Sequence, residues 1–145
     1  MKNSLVVTVS SESSLKELEN CFETMVELAE DELWINIEFI HGFNSFWAAT
    51  PIEELEEDDH QPFGIVEIGD DQQLIAKIIS LAHEVGHCLH RKSPTFKEIK
   101  DTMFSESIAW FLGYNWFFDR NIIIDMNDYQ KSMVYALKLY RMELE

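Results

Sequence analysis

With 27 acidic side chains against 11 basic ones, this chain of 145 residues carries a formal net charge of -16. Such a charge repels nucleic-acid phosphates and anionic lipid headgroups, so direct binding to nucleic acid or to a membrane surface is not expected. The hydrophobic content of 46% and the aromatic content of 12% are typical of a globular protein with a substantial core, and the length fits a single domain over residues 1–145.

The chain also lacks the sequence features of export and of membrane insertion. The apolar run at residues 5–9 is too short for a secretory signal. No segment reaches the roughly 18 uninterrupted apolar residues that read as a membrane span. Two cysteines, Cys21 and Cys88, are too few for a disulfide framework. We therefore expect a cytoplasmic protein.

The first forty residues predict two strands separated by a helix. Residues 5–9 are rich in the β-branched side chains that strands prefer. The serine-rich residues 10–14 then offer helix N-caps, and apolar residues recur at helical spacing over 15–33. Residues 34–40 alternate between apolar and polar side chains in the manner of a second strand. The opening is therefore either a βαβ-like unit or a helix laid on a hairpin of distant strands.

Residues 42–62 are the least regular part of the chain and contain the acidic run 53–59. We expect this run to be a solvated loop or helix face, because it lacks the spaced oxygen ligands and the turn glycine of a calcium loop. Residues 63–68 predict a third strand, and helical periodicity follows over about 73–91, 101–119 and 127–143. Strands in the first half and helices in the second predict an α+β fold, with a small twisted sheet packed by helices.

The helix predicted over 73–91 carries an H-E-x-x-H motif formed by His83, Glu84 and His87. Two histidines four residues apart on a helix project from one face, so both can reach a single Zn²⁺, while the glutamate can accept a proton from the water that the metal activates. A shuffled chain of this composition contains the motif in about 2% of cases. The apolar residues of this helix form a separate stripe that faces the core, namely Ile78, Leu81, Ala82, Val85 and Leu89.

A catalytic zinc usually takes three protein ligands and leaves its fourth position to water. Ser93 stands where the longer H-E-x-x-H-x-x-G-x-x-H pattern has its third histidine, which excludes that class. Glu106 is the preferred third ligand, because a lone carboxylate on an otherwise apolar helix needs a cation beside it. His90 is the rival; it lies about 10 Å along the helix from His83, so we expect it at the rim of the site or behind a ligand. Glu98 is the third choice.

Three further residues are candidates to steady the charge that develops on the substrate carbonyl. Tyr114 lies two turns beyond Glu106 on the same predicted helix. His41 and His60 are isolated in sequence, and each is expected to be incidental unless the fold brings one of them to the cleft. The sequence does not choose among these three.

Other residues near the motif have structural interpretations. Cys88 lies toward the core stripe and is expected to be a buried thiol rather than a nucleophile. Gly86 and Gly113 are expected to let the two site helices approach closely. The aromatic residues of the helix predicted over 101–119 are expected to belong to the core, which makes this helix mostly buried, and they are Trp110, Phe111, Trp116, Phe117 and Phe118.

Two segments together, H-E-V-G-H at 83–87 and S-E-S-I-A-W-F at 105–111, resemble the gluzincin pattern of zinc peptidases, and within it the ImmA/IrrE-type metallopeptidases. The resemblance covers about residues 63–119. The shared features are a glycine at the fourth position of the motif, here Gly86, and a ligand glutamate on an apolar helix, here Glu106, with a small residue three positions later. The chain departs from the pattern at two positions. Trp110 replaces an aspartate that many gluzincins have four positions after the ligand glutamate, and the histidine common just past the motif is displaced by one position, at His90.

The resemblance implies a zincin-like domain that holds one Zn²⁺ per chain on His83, His87 and Glu106 and hydrolyses peptide bonds. Its substrate would be a cytoplasmic protein partner such as a transcriptional regulator. Glu84 would accept a proton from the attacking water and deliver it to the leaving amine. An extended peptide could add to the sheet at residues 63–68. The alternative is a non-catalytic interaction or inhibitor protein that retains a zinc-peptidase fold; the intact Glu84 argues against it, because a structural metal needs no general base.

Overall fold

The computed structural model describes residues 5–58, 60–93 and 102–144, without the side chains of residues 102, 143 and 144. The described residues form a mixed α+β fold, as the sequence predicts. In chain order the elements are β1 (Val7–Val9), α1 (Leu15–Leu33), β2 (Ile35–Ile40), β3 (Phe46–Ala49), α2 (Ile52–Glu57), β4 (Gly64–Gly69), α3 (Leu74–Lys92), α4 (Thr102–Phe118), β5 (Ile122–Ile124) and α5 (Met126–Leu144).

The strands form two separate sheets rather than the single sheet that we expected. A three-stranded sheet has the order β2-β4-β3, in which β4 is parallel to β2 and antiparallel to β3. The first strand does not join it; β1 pairs in parallel with β5, which the sequence analysis did not predict. Because β4 is the central strand, both of its edges are already hydrogen-bonded, and the prediction that a peptide could pair with residues 63–68 is wrong.

The irregular segment 42–62 contains two short elements that its sequence pattern did not reveal. One is β3, an edge strand, whose residues pair with β4 from Phe46 opposite Glu67 to Ala49 opposite Gly64. The other is α2, which takes in most of the acidic run and has no buried residue. The run is therefore a solvated helix face, which is one of the two forms that we expected.

The first helix begins where the serines predicted a cap. The hydroxyl of Ser14 accepts a hydrogen bond from the backbone N–H of Glu17, and the Glu17 carboxylate accepts one from the Ser14 N–H, which completes a capping box. The helix ends at Leu33, and the next residue, Trp34, has a left-handed backbone with φ of 56°. Its buried face packs against α3 and β2.

The core lies between α1, the three-stranded sheet and α3, and it continues into buried residues of β1, α4, β5 and α5. The predicted stripe of α3 is buried: Ile78, Leu81, Ala82 and Val85 have no measurable exposure, and Leu89 packs against them from the margin. Cys88 is also fully buried, as predicted. The opposite side of α3, which carries the motif histidines, is thereby left for α4.

The most extensive helix contact among the described residues joins α3 and α4, and two glycines make it possible. A Cβ atom on Gly86 would lie 1.7 Å from the backbone oxygen of Ala109, and one on Gly113 would lie 1.8 Å from that of Ala82. Any side chain at either position would force the two backbones apart. The prediction that these glycines permit a close helix approach is confirmed.

The prediction that α4 is mostly buried is wrong along one face. Phe104, Phe111 and Phe118, which are seven residues apart, are 55%, 71% and 48% exposed. Trp110 and Phe117 on the opposite side are buried. The physical reason is that α4 packs on α3 along one side only, with α5 and β5 covering part of the remainder. Among the helices that the structure describes, none combines the length and the apolar character needed to cross a membrane.

Candidate metal centre

Two histidines and a glutamate converge between α3 and α4. The Nε2 atom of His83 lies 2.6 Å from Oε2 of Glu106, and the Nε2 atom of His87 lies 3.0 Å from the same oxygen. The four-residue spacing places the two rings one above the other on α3, with centroids 4.8 Å apart. The glycine-mediated approach of α4 then brings Glu106 to both rings. The structure thus brings together the three ligands that the sequence predicts.

Glu106 is a buried carboxylate with three hydrogen-bond partners. It is 8% exposed. While Oε2 faces the two histidines, Oε1 accepts a hydrogen bond of 2.8 Å from the hydroxyl of Tyr140 on α5. The two histidines therefore hold one oxygen of the carboxylate and Tyr140 holds the other, so that three side chains fix its position.

The electrostatics of the three groups are coupled. Burial by itself would raise the pKa of Glu106, but the hydrogen bonds from His83 and His87 outweigh it and leave this pKa well below its usual range. Burial would likewise lower the pKa of His87, yet its hydrogen bond to Glu106 and the nearby carboxylates raise it above the ordinary value. The ionised form of Glu106 and the protonated form of His87 thus stabilise each other, and a bound cation would stabilise the carboxylate in the same way.

Glu84 lies beside the histidines with its own carboxylate buried. It is 5% exposed, and its Oε2 lies 3.6 Å from Nδ1 of His83. Burial raises the pKa of Glu84, although the two histidines act against it. A raised pKa makes a carboxylate a stronger base than an ordinary glutamate, which favours its use as the proton acceptor in general acid–base catalysis.

Trp110 on α4 lies next to His83. Its ring stacks on that imidazole with centroids 4.2 Å apart and planes within 9°. The contact is therefore one of ring faces, and the buried indole N–H has no hydrogen-bond partner among the residues that the structure describes. Tyr129 on α5 donates a hydrogen bond to the backbone oxygen of Trp110. The prediction that Trp110 is a core residue is confirmed, but its ring also fixes the orientation of His83.

The site opens into two adjoining cavities. The smaller, of about 220 Å³, is lined by the two histidines, Glu84, Glu106 and Tyr140 together with residues of β3, and we call it the metal-side cavity. The larger, of about 610 Å³, lies between α3 and α5, and we call it the α3–α5 cavity. Both cavities are lined by His83, Glu84 and Tyr140 as well as by Ser45 and Phe46. The residues with the predicted chemistry therefore stand at the junction of the two spaces.

The structure does not bring the other candidates to this junction. His90 is buried, but it lines neither cavity and does not belong to the cluster of potential ligands among the described residues. Tyr114 lies on the other side of Trp110, in a separate cavity of about 160 Å³, where its ring contacts Phe118 and Tyr129. His60 lines a different pocket, beside Glu30 and Trp34. His41 lines none of these cavities, and Glu98 lies outside the described residues.

Sequence reasoning missed Tyr140, the residue that holds Glu106 from the far side. A faint signal exists, because Ser132, Ala136 and Tyr140 follow one another at four-residue spacing and all three line the α3–α5 cavity. The sequence alone could not connect this face of α5 with Glu106. Residues 43–47, which also line the two cavities, were missed for the same reason, since they lie in the segment that showed no regular pattern.

The donor set fits a divalent metal. Ligand atoms of His83, Glu84 and His87 all lie within 4.8 Å of one another, close enough to hold a metal ion. The carboxylate in that group is Glu84, whereas the one in direct contact with both imidazole nitrogens is Glu106. Either completes a set of two imidazole nitrogens and one carboxylate oxygen, which is typical of catalytic zinc. In a tetrahedral site with bonds of 2.0–2.1 Å, neighbouring ligand atoms are about 3.3 Å apart. The Nε2 atoms of His87 and His83 lie 3.0 and 2.6 Å from Oε2 of Glu106, so the carboxylate would have to move away from His83 by about 0.7 Å for all three to hold one ion.

Comparison with known proteins adds nothing to this geometry. No protein-family model matches the chain, and no curated protein and no solved structure matches it significantly. A function for this chain must therefore be inferred from the arrangement of the side chains that the structure describes.

Proposed function

We propose that the protein is a zinc-dependent peptidase of the gluzincin type, similar to the ImmA/IrrE-type metallopeptidases, with a zincin-like fold. The observation that carries the proposal is the convergence of the His83 and His87 Nε2 atoms on Oε2 of Glu106, at 2.6 and 3.0 Å, with the buried Glu84 carboxylate beside them. A structural metal would need the three ligands but would have no use for a buried glutamate that lines an open cavity.

In the proposed mechanism His83, His87 and Glu106 would hold one Zn²⁺, and the bound ion would supply a Lewis acid that lowers the pKa of water and polarises a carbonyl. Glu84 accepts a proton from the attacking water and later delivers it to the leaving amine nitrogen. Its raised pKa favours the first of these steps. Tyr140 fixes Oε1 of Glu106 and so keeps Oε2 directed at the histidines. The Trp110 ring, stacked on His83, keeps that imidazole from rotating.

The substrate in this proposal is an extended segment of a cytoplasmic protein partner, such as a transcriptional regulator. Since β4 is central, the edge strands of the three-stranded sheet are β2 and β3. The one beside the site is β3, because its Phe46 and Trp47 line the metal-side cavity together with His83. A peptide paired with this edge would gain main-chain hydrogen bonds and pass the catalytic residues.

The substitution Glu84→Gln separates metal binding from chemistry. The amide has nearly the shape of the carboxylate, so the fold and the three ligands should be preserved, and about one zinc per chain should remain bound. The amide cannot act as a general base, so hydrolysis should fall by about 10²–10⁴-fold. The measurements are zinc content by elemental analysis and cleavage of a mixed peptide library followed by mass spectrometry.

The matched control is Glu54→Gln on the exposed helix α2, which changes the same functional group away from the site and should leave both quantities as in the wild type. Undiminished cleavage by the zinc-loaded Glu84→Gln protein would rule out this mechanism. Wild-type protein that holds zinc but cleaves no peptide would favour the alternative, a binding protein that keeps the site without the reaction.

A further inference from the structure

The exposed phenylalanines of α4 belong to a regular pattern on the outer side of this helix. Its members follow one another at alternating intervals of four and three residues, and they are Phe104, Ile108, Phe111, Asn115 and Phe118. This is the heptad spacing with which one helix packs along another. On a straight helix such a pattern drifts by only about 20° every seven residues, so its members stay on one side over about 20 Å. We call these five residues the α4 ridge.

The α4 ridge is exposed because the opposite side of the helix is the one that packs on α3. Gly113 and Glu106 lie on that inner side, against the backbone of α3 and its two motif histidines. Taking about 200 Å² for a whole phenylalanine side chain, the exposed fractions of Phe104, Phe111 and Phe118 amount to about 350 Å² of apolar surface in each chain. Exposed apolar patches of this size are often functional contact sites.

The α4 ridge carries no charge, although the chain is strongly acidic. Glu106 is the one charged residue in the sequence of α4, and it is buried on the inner side, whereas 26% of all residues in the chain are charged. A partner with a charged contact surface would lose hydration on the ridge without gaining an ion pair. Two copies of this chain can meet there without facing acidic side chains of the ridge, and charges more than about 10 Å away are largely screened in about 0.1 M salt.

The pattern of the ridge is symmetric about Phe111. Phe104 stands seven residues before it and Phe118 stands seven residues after it. If two copies pack α4 against α4 around a two-fold axis beside Phe111, the two Phe111 side chains meet, and phenylalanine faces phenylalanine on either side of them. This holds whether the two helices run parallel or antiparallel. The ridge therefore has the self-complementarity that a two-fold contact between identical chains requires.

We propose that the α4 ridge is a dimer interface, occupied by the same ridge of a second copy of this chain. The inference goes beyond the proposed function and does not depend on it. Among the described residues that line the metal-side cavity and the α3–α5 cavity, none belongs to the ridge, so the contact does not use the walls of either cavity. The dimer covers the outer side of the helix that carries Glu106.

Sedimentation equilibrium of the full chain measures this contact directly. The three phenylalanines bury about 700 Å² in the two copies together, and Met126, which is exposed and lines a small cavity with Phe111, extends the contact. An area of this size lies at the lower end for specific interfaces, so the dissociation constant should be about 1–100 µM. The chain should therefore change from monomer to dimer between about 1 µM and 1 mM.

The salt dependence of the dissociation constant distinguishes this apolar contact from an ionic one. Each chain has a net charge of -16, so the two copies repel each other at low salt. Raising the salt concentration from about 0.05 to about 0.5 M screens this repulsion and should strengthen the dimer by at least about threefold. A dimer held by ion pairs would become weaker instead.

The substitution Phe111→Glu locates the contact. It places two like charges beside the two-fold axis, so the dissociation constant should rise by at least about 100-fold. The residue is 71% exposed, and the circular dichroism spectrum should stay that of the wild type. Phe118→Glu should also weaken the dimer and serves if the first variant does not fold. The matched control is Leu15→Glu, which introduces the same charge at a 65% exposed residue at the start of α1 and should keep the dimer.

A disulfide cross-link tests the position of the axis. Cys21 and Cys88, the two native cysteines, are buried, so Phe111→Cys introduces an accessible thiol. In a glutathione redox buffer this variant should form a disulfide-linked dimer, because the dimer holds the two thiols at a high effective concentration. Leu15→Cys is the matched control at a similarly exposed residue, and it should remain mostly monomeric.

A concentration-dependent dimer that salt strengthens and Phe111→Glu disrupts supports the proposal. A chain that stays monomeric up to about 1 mM overturns it. A dimer that salt weakens, or that both Phe111→Glu and Phe118→Glu leave intact, forms through another surface and overturns it as well. Equal cross-linking of Phe111→Cys and Leu15→Cys also counts against a two-fold axis beside Phe111.

Discussion

The substitution Gly86→Ala tests the helix approach on which the metal centre depends. The added Cβ would lie 1.7 Å from the backbone oxygen of Ala109, half the distance of about 3.4 Å at which an ordinary contact begins. The opposing atom belongs to the backbone of α4, so no side-chain rotation can relieve the clash. The helices must separate locally by about 1 Å or more.

The expected cost follows from two opposing effects. Overpacking against rigid neighbours costs about 3 kcal/mol at the upper end of its usual range, while replacing glycine by alanine inside a helix contributes about 1 kcal/mol in the opposite direction. The free energy of unfolding should therefore fall by about 2 kcal/mol, which lowers the melting temperature by about 4–8 °C in a domain of this size. Urea unfolding followed by circular dichroism measures the first quantity.

Zinc binding should suffer more than stability. Metal–ligand distances tolerate shifts of about 0.2 Å, so a separation of about 1 Å between His87 and Glu106 should lower zinc affinity by at least about tenfold even in folded protein. A competition titration with a chelating dye measures this affinity. Gly113→Ala requires the same separation, so the double variant should be less destabilised than the two single effects combined.

The matched control for Gly86→Ala is Asn115→Ala on α4, at an exposed position where alanine favours the helix without a clash. It should unfold at the same urea concentration as the wild type or slightly higher. If Gly86→Ala behaves like this control and binds zinc normally, the close helix approach and the arrangement of ligands derived from it are refuted.

Three further outcomes follow from other contacts. Tyr140→Phe removes the hydrogen bond to Oε1 of Glu106 and should lower zinc affinity by about tenfold in a dye competition, while an unaffected affinity would deny Tyr140 a role in holding the ligand. The hydrogen bond to Glu106 and the nearby carboxylates raise the pKa of His87, whereas zinc binds the neutral ring. Apparent zinc affinity should therefore fall with decreasing pH, by up to about tenfold per pH unit for each proton that the metal displaces. An affinity that stays constant between about pH 8 and pH 6 would contradict this expectation. Burial raises the pKa of Cys21 to about 11 and that of Cys88 to about 12. Neither thiol should therefore react with a disulfide reagent at about pH 8 until urea unfolds the chain. Rapid reaction of the native protein would show that the thiols are accessible.

The local patterns of the sequence predicted the elements that carry the site. Helical spacing of apolar residues predicted the bounds of α1 and α3 to within about two residues, because the amphipathic period is a property of the helix itself. The capping of α1 by Ser14 was visible for the same reason, since cap and helix are neighbours in the chain. The strand β3 was missed because four residues are too few to show a period. The strand β5 was missed although its three isoleucines are β-branched, like the residues that predicted β1.

The apolar composition of α4 illustrates the limit of such patterns. Apolar residues on every side predicted burial, yet Phe104, Phe111 and Phe118 remain exposed while Glu106 is buried. The composition of a helix indicates how unfavourable it would be to expose its side chains. It does not indicate whether another helix or strand is available to cover each face. The lone carboxylate was the more reliable signal, because burying it without partners is far more expensive than exposing a phenylalanine.

By itself the sequence determined that His83 and His87 lie on one side of a helix with Glu84 between them, because four-residue spacing matches the helical repeat whatever the rest of the fold does. It also singled out Glu106. Only the tertiary structure decided that Tyr140, 34 residues further on, holds this carboxylate, that β3 rather than β4 is the edge strand beside the site, and that a cavity lies between α3 and α5. These features depend on contacts between segments that are distant in the chain. A sequence pattern indicates whether a residue is buried or exposed, but it does not indicate which other segment contacts that residue.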